Sequence, residues 1–283
     1  MLPYGLFYLV NCIYELNTAN NLTDKVFNMN EIMKLPNALL SLTRALQKSK
    51  TRRSENLFLA EGKKVCSDLL NSNYKTKFVI INNDDIDKEI YKLIDGFCKK
   101  GVTVYETKNN VFESLCDAVS PQGIIGVVEQ RKYAPTPNES FVALDNISDP
   151  GNVGTIIRTA DWFGVKQMIL IGDCADMYNP KVVRSSMGSI FRMKLINADN
   201  TINVFTKNFD KIEILAATLD AKLALTELNK KNKFGLIVGN ETRGISLFLE
   251  DVITQKFIIN GYGTAESLNV AIATGISLFH LIR

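Results

Sequence analysis

Residues 141–164 read FVALDNISDPGNVGTIIRTADWFG, a stretch in which three kinds of local pattern follow one another. A short apolar run at 141–144 is followed by a polar turn, and an apolar helical pattern at 156–163 stops before Gly164, a residue type that often follows a helix end. The stretch therefore predicts a buried strand, a turn and a helix in succession. Two side chains are competent to cap the start of this helix, Asn152 and Thr155.

The same alternation continues to the end of the chain. Short apolar runs recur with helical spacing between them, which predicts an α/β fold with a mainly parallel sheet covered by helices on both faces. In such sheets ligands bind beyond the carboxyl ends of the strands, so the residues directly after the runs are candidate site residues. The runs lie at 141–144, 168–171, 193–196, 214–217, 234–238 and 257–259.

A polar stretch with two prolines, residues 133–140, interrupts the apolar sequence and predicts a linker. Before it, residues 34–132 alternate apolar runs with helical patterns, which predicts a smaller α/β domain ahead of the domain at 141–283. Residues 1–33 form an N-terminal extension that is open to two interpretations. It is either an added strand or helix, or upstream sequence from an overextended start.

The composition excludes several classes of chemistry. His280 is the single histidine, so a Ser-His-Asp triad, a Cys-His pair and a multi-histidine metal site are not expected. The five cysteines include no C-x-x-C pair, which argues against a disulfide framework or a zinc site and favours a reducing compartment. The apolar start of the chain lacks the features of a signal peptide and is too short to span a bilayer. We expect a cytoplasmic protein without a metal or a membrane span.

Residues 44–64 carry a strong local positive charge. The stretch holds seven lysines and arginines against two glutamates, an excess of five where the whole chain has a net charge of +3. Such a cluster neutralises backbone phosphates of nucleic acid, although a solvated helix and turn would carry the same charges. The residues predicted to contact RNA are Lys50, Arg52, Arg53 and Lys63.

Two later strands lead into glycine-bearing loops. Residues 236–246 read LIVGNETRGIS, where the strand stops at Gly239 and a carboxylate, Glu241, follows. Residues 257–279 read FIINGYGTAESLNVAIATGISLF, where a glycine-rich loop leads into an apolar helix that begins near Ser267. Glycine lets the backbone approach a ligand closely, so these loops are candidates for binding a small molecule. Taken singly, each is also compatible with an ordinary turn or a capped core helix.

Together, in this order, the three segments resemble the SpoU/TrmH family of the SPOUT superfamily, which are RNA 2′-O-ribose methyltransferases. The resemblance covers residues 141–283, and residues 41–128 resemble the substrate-binding domain that often precedes them, a fold similar to a ribosomal RNA-binding protein. It implies a deep trefoil knot, S-adenosylmethionine as cofactor, a homodimer and a structured RNA substrate. The first domain favours ribosomal RNA, and transfer RNA stays open.

The resemblance also assigns residues. Arg158 matches the proposed catalytic arginine, which would orient the 2′-hydroxyl and help to accept its proton, in combination with the cofactor site of the partner subunit. One departure is Asn260-Gly261, where the family usually has proline and methionine. The remaining catalytic matches are Asn152, Glu241, Ser267 and Asn269, and those expected to bind the cofactor, largely through the backbone, are Gly239, Ile259 and Leu268.

Two other functions compete with this interpretation. A non-catalytic RNA-binding module would use the basic first domain alone, and the presence of the full set of matched residues argues against it. A nicotinamide-dependent α/β enzyme would need G-x-G-x-x-G after the first strand, and Gly151 and Gly154 do not form that pattern.

Overall fold

The structure, a computed structural model, describes residues 32–198, 202–240 and 242–282. Of the predicted N-terminal extension, only residues 32 and 33 fall within this part, so the two interpretations of residues 1–33 stay open. Among the described residues, no helix combines the length and the apolar character needed to cross a membrane.

The first domain is built on a five-stranded mixed sheet of order β1-β4-β3-β5-β2, in which β1, β4 and β3 are parallel and β5 is antiparallel to its two neighbours. The alternating side chains of β3 are buried against helices on both faces of the sheet. This part of the chain folds as a small mixed α/β unit. Its elements are β1 (Met33–Lys34), α1 (Asn37–Ala45), α2 (Ser49–Glu55), β2 (Leu57–Glu61), α3 (Lys63–Leu70), β3 (Thr76–Asn82), α4 (Lys88–Lys99), β4 (Thr103–Thr107), α5 (Asn109–Glu113) and β5 (Ile124–Glu129).

The second domain contains a six-stranded sheet of order β11-β9-β10-β6-β7-β8, and all of its strand pairs are parallel. The predicted parallel sheet is confirmed, and its strands lie within two residues of the apolar runs. Its elements are β6 (Phe141–Asp145), α6 (Pro150–Trp162), β7 (Gln167–Ile171), α7 (Pro180–Ser185), β8 (Lys194–Ala198), α8 (Ile202–Asn208), β9 (Glu213–Ala217), β10 (Phe234–Gly239), β11 (Gln255–Phe257) and α9 (Val270–Leu281), with 3-10 turns at Ser189–Phe191, Leu225–Glu227 and Leu247–Val252.

The helix α6 begins six residues before the predicted position. Asp149 is its N-cap, and the carboxylate accepts a hydrogen bond from the amide of Asn152. Pro150 occupies the first helical position, where its missing N–H costs nothing and its fixed φ suits the helix. The predicted end of the helix before Gly164 is confirmed, since α6 ends at Trp162 and Gly164 follows with a φ of +79°. Asn152 therefore lies inside the first turn of the helix and does not cap it.

The two domains are packed directly against each other. Residues 130–140 join them without helix or strand, in the region of the predicted linker. One continuous cluster of buried apolar side chains includes Phe58 of the first sheet and Tyr178 and Phe191 of the second domain. The orientation of the two domains is thus set by a shared core.

Candidate active site

A cavity of about 950 Å³ opens at the carboxyl ends of β9, β10 and β11. Its lining includes Gly239 at the end of β10 and Ile259, Ser267 and Leu268 from the loop between β11 and α9. The structure thus brings together the three residues predicted to bind the cofactor and one of the predicted catalytic residues. This is the edge of the sheet where ligands are expected.

A buried carboxylate at the end of β6 holds the loop after β10 in place. Asp145 is fully buried, and its Oδ2 accepts a hydrogen bond from the amide of Ser246 at 2.6 Å. Its Oδ1 accepts from the Ser246 hydroxyl at 3.0 Å and from Asn146 Nδ2 at 2.7 Å. The side chain of Asn240 donates to the carbonyl oxygen of Asn146 at 3.0 Å. These bonds fix both ends of the 240–246 loop beside the cavity.

Gly239 lies where a side chain would collide with that loop. A Cβ built on Gly239 would come within 2.4 Å of the carbonyl oxygen of Gly244. The contact arises because the amide of Gly244 donates to the carbonyl of Asn240 at 2.9 Å and turns the chain back on the strand. Glycine at position 239 is therefore required by the close approach of two backbone segments.

A Gly239→Ala variant is expected to bind S-adenosylmethionine about 5- to 150-fold more weakly, since the added methyl group must push the loop after β10 aside at a cost of about 1–3 kcal/mol. Calorimetric titration measures the affinity. Gly261→Ala is the matched control, because a Cβ there meets no atom within 4 Å. We expect the melting temperature of Gly261→Ala to equal that of the native protein. A native affinity of Gly239→Ala for S-adenosylmethionine would contradict the steric argument.

The beginnings of α6 and α9 meet beside the cavity. Asn269 caps α9, and its Nδ2 donates to Oδ1 of Asn152 in α6 at 3.0 Å. The amide of Asn152 holds the pKa of the Asp149 carboxyl below its ordinary value, and the charge on Lys181 acts in the same direction. Two predicted catalytic residues, 117 positions apart in sequence, are thus in direct contact.

Arg158 lies on α6, and its side chain is exposed. It is absent from the cavity lining, as are Asn152 and Asn269. Within the part of the chain that the structure describes, the guanidinium makes no hydrogen bond or ion pair. Glu241, the remaining predicted catalytic residue, lies outside the described residues. One subunit therefore presents the predicted cofactor residues at the cavity and the predicted catalytic arginine apart from it.

The chain resembles proteins of known activity along most of its length. A model of the SpoU rRNA Methylase family matches residues 139–279, and a model of the MRM3-like substrate binding domain matches residues 37–126. The chain is 30% identical to mitochondrial rRNA methyltransferase 3 of Mus musculus, over 81% of this chain and 68% of that protein. The chain belongs to the SpoU rRNA methylase family. The predicted family and the predicted class of enzyme, an RNA methyltransferase, are thereby confirmed.

Two further relatives cover nearly the whole of this SpoU methylase. The 23S rRNA (guanosine(2553)-2′-O)-methyltransferase RlmP of Bacillus subtilis is 28% identical over 89% of this chain and 99% of its own. The crystal structure of an AdoMet-bound rRNA methyltransferase from Sinorhizobium meliloti superposes with a TM-score of 0.77 at 31% identity, covering 88% of this chain and 96% of the other. Both domains therefore belong to the shared architecture.

The four residues predicted to contact RNA differ in their surroundings in this SpoU methylase. Lys50 and Arg53 are exposed on α2, whereas Lys63 forms an ion pair with Asp87. Arg52 is only 1% exposed and is bonded to Asp176 of the second domain. This is a correction to the prediction for Arg52, because a guanidinium enclosed between two domains does not reach phosphate in solution.

Asp145 and Asn146 directly follow the predicted strand at 141–144, but the sequence assigns them no role. Their partner Ser246 lies about a hundred residues away, and no local pattern signals that contact. The role of Asp149 had a local signal, since aspartate directly before proline is a typical start of a helix. Pro150-Gly151 also predicts a turn, which is why the sequence alone places the start of the helix later.

Proposed function

We propose that this SpoU methylase transfers a methyl group to the 2′-hydroxyl of a ribose in ribosomal RNA, with S-adenosylmethionine as the methyl donor. The observation that carries the proposal is the cavity at the carboxyl ends of β9, β10 and β11, beside the contact between Asn152 and Asn269. Membership in the SpoU rRNA methylase family and the name of the B. subtilis relative support the substrate class.

The residues around the cavity fit a donor of this chemistry. The wall combines backbone of Gly239 and of the 258–268 loop with apolar side chains such as Leu268 and Ile276. An apolar wall with a few convergent main-chain groups is typical of sites for nucleoside-containing ligands. When bound, S-adenosylmethionine supplies an electrophilic methyl group for an in-line displacement. Gly239, Ile259 and Leu268 hold it, mainly through their backbone.

The protein residues then have to orient the ribose hydroxyl. Arg158 is the cation assigned to the 2′-hydroxyl and the adjacent phosphate, because a guanidinium donates in a planar fork to such oxygens. It also assists removal of the hydroxyl proton, with Asn152, Glu241, Ser267 and Asn269 holding the ribose and the arginine. His280 is engaged elsewhere, since its Nε2 lies 2.8 Å from the carbonyl oxygen of Leu228. Imidazole therefore has no part in the step.

A homodimer brings the separated parts of the site together. The exposed face of α9 is apolar, with Ile272 56% and Phe279 76% exposed, and Trp162 at the end of the packed helix α6 is 84% exposed. Contiguous apolar surface of this kind is typical of a protein interface. Ile276 belongs to both this face and the cavity lining, so a second copy seated on α9 reaches the mouth of the cavity. Arg158 of one subunit then serves the cavity of the other.

The path of the C-terminal segment supports the trefoil knot. After β11, the backbone of Ile258 exchanges hydrogen bonds with Leu223 and Leu225 in the connection between β9 and β10. The same connection contacts the last helix, where the amide of Lys231 donates to the carbonyl of Leu281. These bonds hold the C-terminal segment against the connection that precedes β10, a proximity that the proposed knot requires.

The first domain, like a ribosomal RNA-binding protein, presents Lys50 and Arg53 to the RNA. A Lys50→Ala/Arg53→Ala variant is expected to bind RNA more weakly, and the dependence of log affinity on log salt should fall by about one for each lost phosphate contact. Filter binding across a salt series measures this. Lys92→Ala on α4 is the control, since it removes an exposed cation from outside the basic stretch. An unchanged slope in the double variant would exclude α2 from the interface.

The proposed reaction is tested with labelled S-adenosylmethionine and total RNA from cells that lack the protein. Label should enter ribosomal RNA, and mapping should locate a new 2′-O-methyl group. Label in transfer RNA alone, or on a base, would overturn the proposed substrate. We place the enzyme in the cytoplasm, which the thiols of Cys66 and Cys174 support and which fractionation of cells tests.

A further inference from the structure

We propose that Arg52, Asp176, Tyr178 and Arg131 form an interdomain clamp that fixes the distance between the RNA-binding face of α2 and the catalytic pocket, and so selects the nucleotide to be methylated. The inference rests on the proposed function and assigns to Arg52 a positioning role in place of contact with RNA.

Arg52 is the centre of the interdomain clamp. Its Nε and Nη2 donate to Oδ2 of Asp176 at 3.0 and 2.6 Å. Its Nη1 donates to the carbonyl oxygens of Leu46 and Gln47 at 2.9 and 2.8 Å. The planar guanidinium therefore ties the end of α1 to the loop that follows β7. A fully bonded guanidinium in a buried position has a single favourable orientation.

The partner side of the clamp is equally constrained. Oδ1 of Asp176 accepts from the amide of Tyr178 at 3.0 Å, and Ser49 at the start of α2 donates to Oδ2 at 3.2 Å. The Tyr178 hydroxyl donates to the carbonyl of Arg131 at 2.8 Å and accepts from its amide at 3.0 Å. The Tyr178 ring packs on Phe58 with centroids 4.6 Å apart. The strand β2, the helix α2 and the start of the linker are thus joined at one point.

Two ion pairs extend the contact beyond the clamp. Arg184 of α7 pairs with Asp117 of the first domain at 2.6 Å. Arg192 pairs with Asp68 of α3 at 3.3 Å. Each is partly exposed and contributes little to stability alone. Three charged contacts around a shared apolar core nevertheless leave the domains one relative orientation.

The placement of α2 connects the clamp to the reaction. Lys50 and Arg53 face solvent on the same short helix whose Arg52 is buried against the second domain. Contacts to phosphate position RNA without reading its sequence. The clamp fixes α2 relative to the loop after β7. The strand β7 pairs with β6, which leads into α6, the helix that carries Arg158. RNA bound at α2 therefore lies at a constant distance from Arg158. A misplacement of about 1 Å at a reacting centre costs about 100-fold in rate.

Asp176→Asn is the decisive variant. The asparagine keeps an acceptor for the Tyr178 amide but directs an amide group or an uncharged oxygen at Arg52, so the charge pair is lost. We expect the full-length variant to bind S-adenosylmethionine and RNA with affinities within about threefold of native, because neither surface is altered. The single-turnover rate at the native nucleotide should fall about 10–100-fold, and additional 2′-O-methyl positions should appear in the mapped RNA. Asp95→Asn, which breaks an ion pair within α4, should change neither.

Several outcomes overturn the inference. Asp176→Asn could methylate the same single nucleotide at the native rate, or lose RNA affinity while keeping its rate at saturating RNA. If Asp176→Asn does not fold, Arg52→Lys is measured instead, because lysine keeps the charge but not the fork, and the same loss of rate and accuracy is expected. Failure of the native protein to methylate RNA would refute the proposed function itself. An active native protein with an unaffected variant would refute the clamp alone.

Discussion

An Arg158→Ala variant is expected to lose methyl transfer by at least about 100-fold while it binds S-adenosylmethionine as tightly as the native protein. Arg158 is exposed on α6 and does not line the cavity, so its removal leaves the cofactor site of its own subunit intact. The lost contribution is the orientation of the ribose hydroxyl in the transition state. Single-turnover methylation of RNA, together with calorimetric titration of the cofactor, separates the two effects.

Two variants sharpen this experiment. Arg158→Lys retains the positive charge but not the planar fork, so we expect most of the loss to remain. Lys166→Ala removes an exposed cation just beyond the same helix and should leave the rate unchanged. A native rate in Arg158→Ala would exclude the arginine from catalysis, and an equal loss in Lys166→Ala would show that the net charge of this face is what matters.

The central strands of the second sheet, β6, β7 and β10, were predictable because each is a short apolar run buried on both faces, a pattern typical of parallel sheets. The end of α6 was predictable for a local reason as well, since Gly164 takes a positive φ directly after the helix. The start of α6 was missed because the first turn is polar. Helical periodicity becomes visible only at Ile156, although the Asp149–Pro150 pair marks the actual beginning.

The burial of Arg52 was not predictable from a count of charges. Lys50, Arg52 and Arg53 lie within four positions, and only the tertiary fold decides which of them turns inward. The partner Asp176 is 124 residues away in sequence. The same limit applies to Asp145 and Ser246, which are 101 residues apart. The sequence thus identifies which residues are polar at a strand end, while the contacts that define their roles arise only when distant loops meet.

Mixed dimers are expected to recover activity from two parents that are each nearly inactive when S-adenosylmethionine is kept well below the Kd of the weakened cavity. One parent is Arg158→Ala, which lacks the arginine, and the other is Gly239→Ala, whose cavity stays largely empty at that concentration. In a mixed dimer, the intact cavity of the first subunit faces the intact Arg158 of the second. Random pairing makes half of the dimers mixed, with one of two sites active in each, so co-expression should restore about a quarter of native activity. The rate is measured on the purified mixture.

The outcome distinguishes a site shared between subunits from one built within a single subunit. If Arg158 served the cavity of its own chain, every site in the mixed dimer would lack one component, and the mixture would stay inactive. Adding Phe279→Asp to one parent provides the control. Phe279 is exposed in the single chain, so the charge spares its fold, but burial of an unpaired carboxylate at the α9 face should prevent pairing and abolish the recovery.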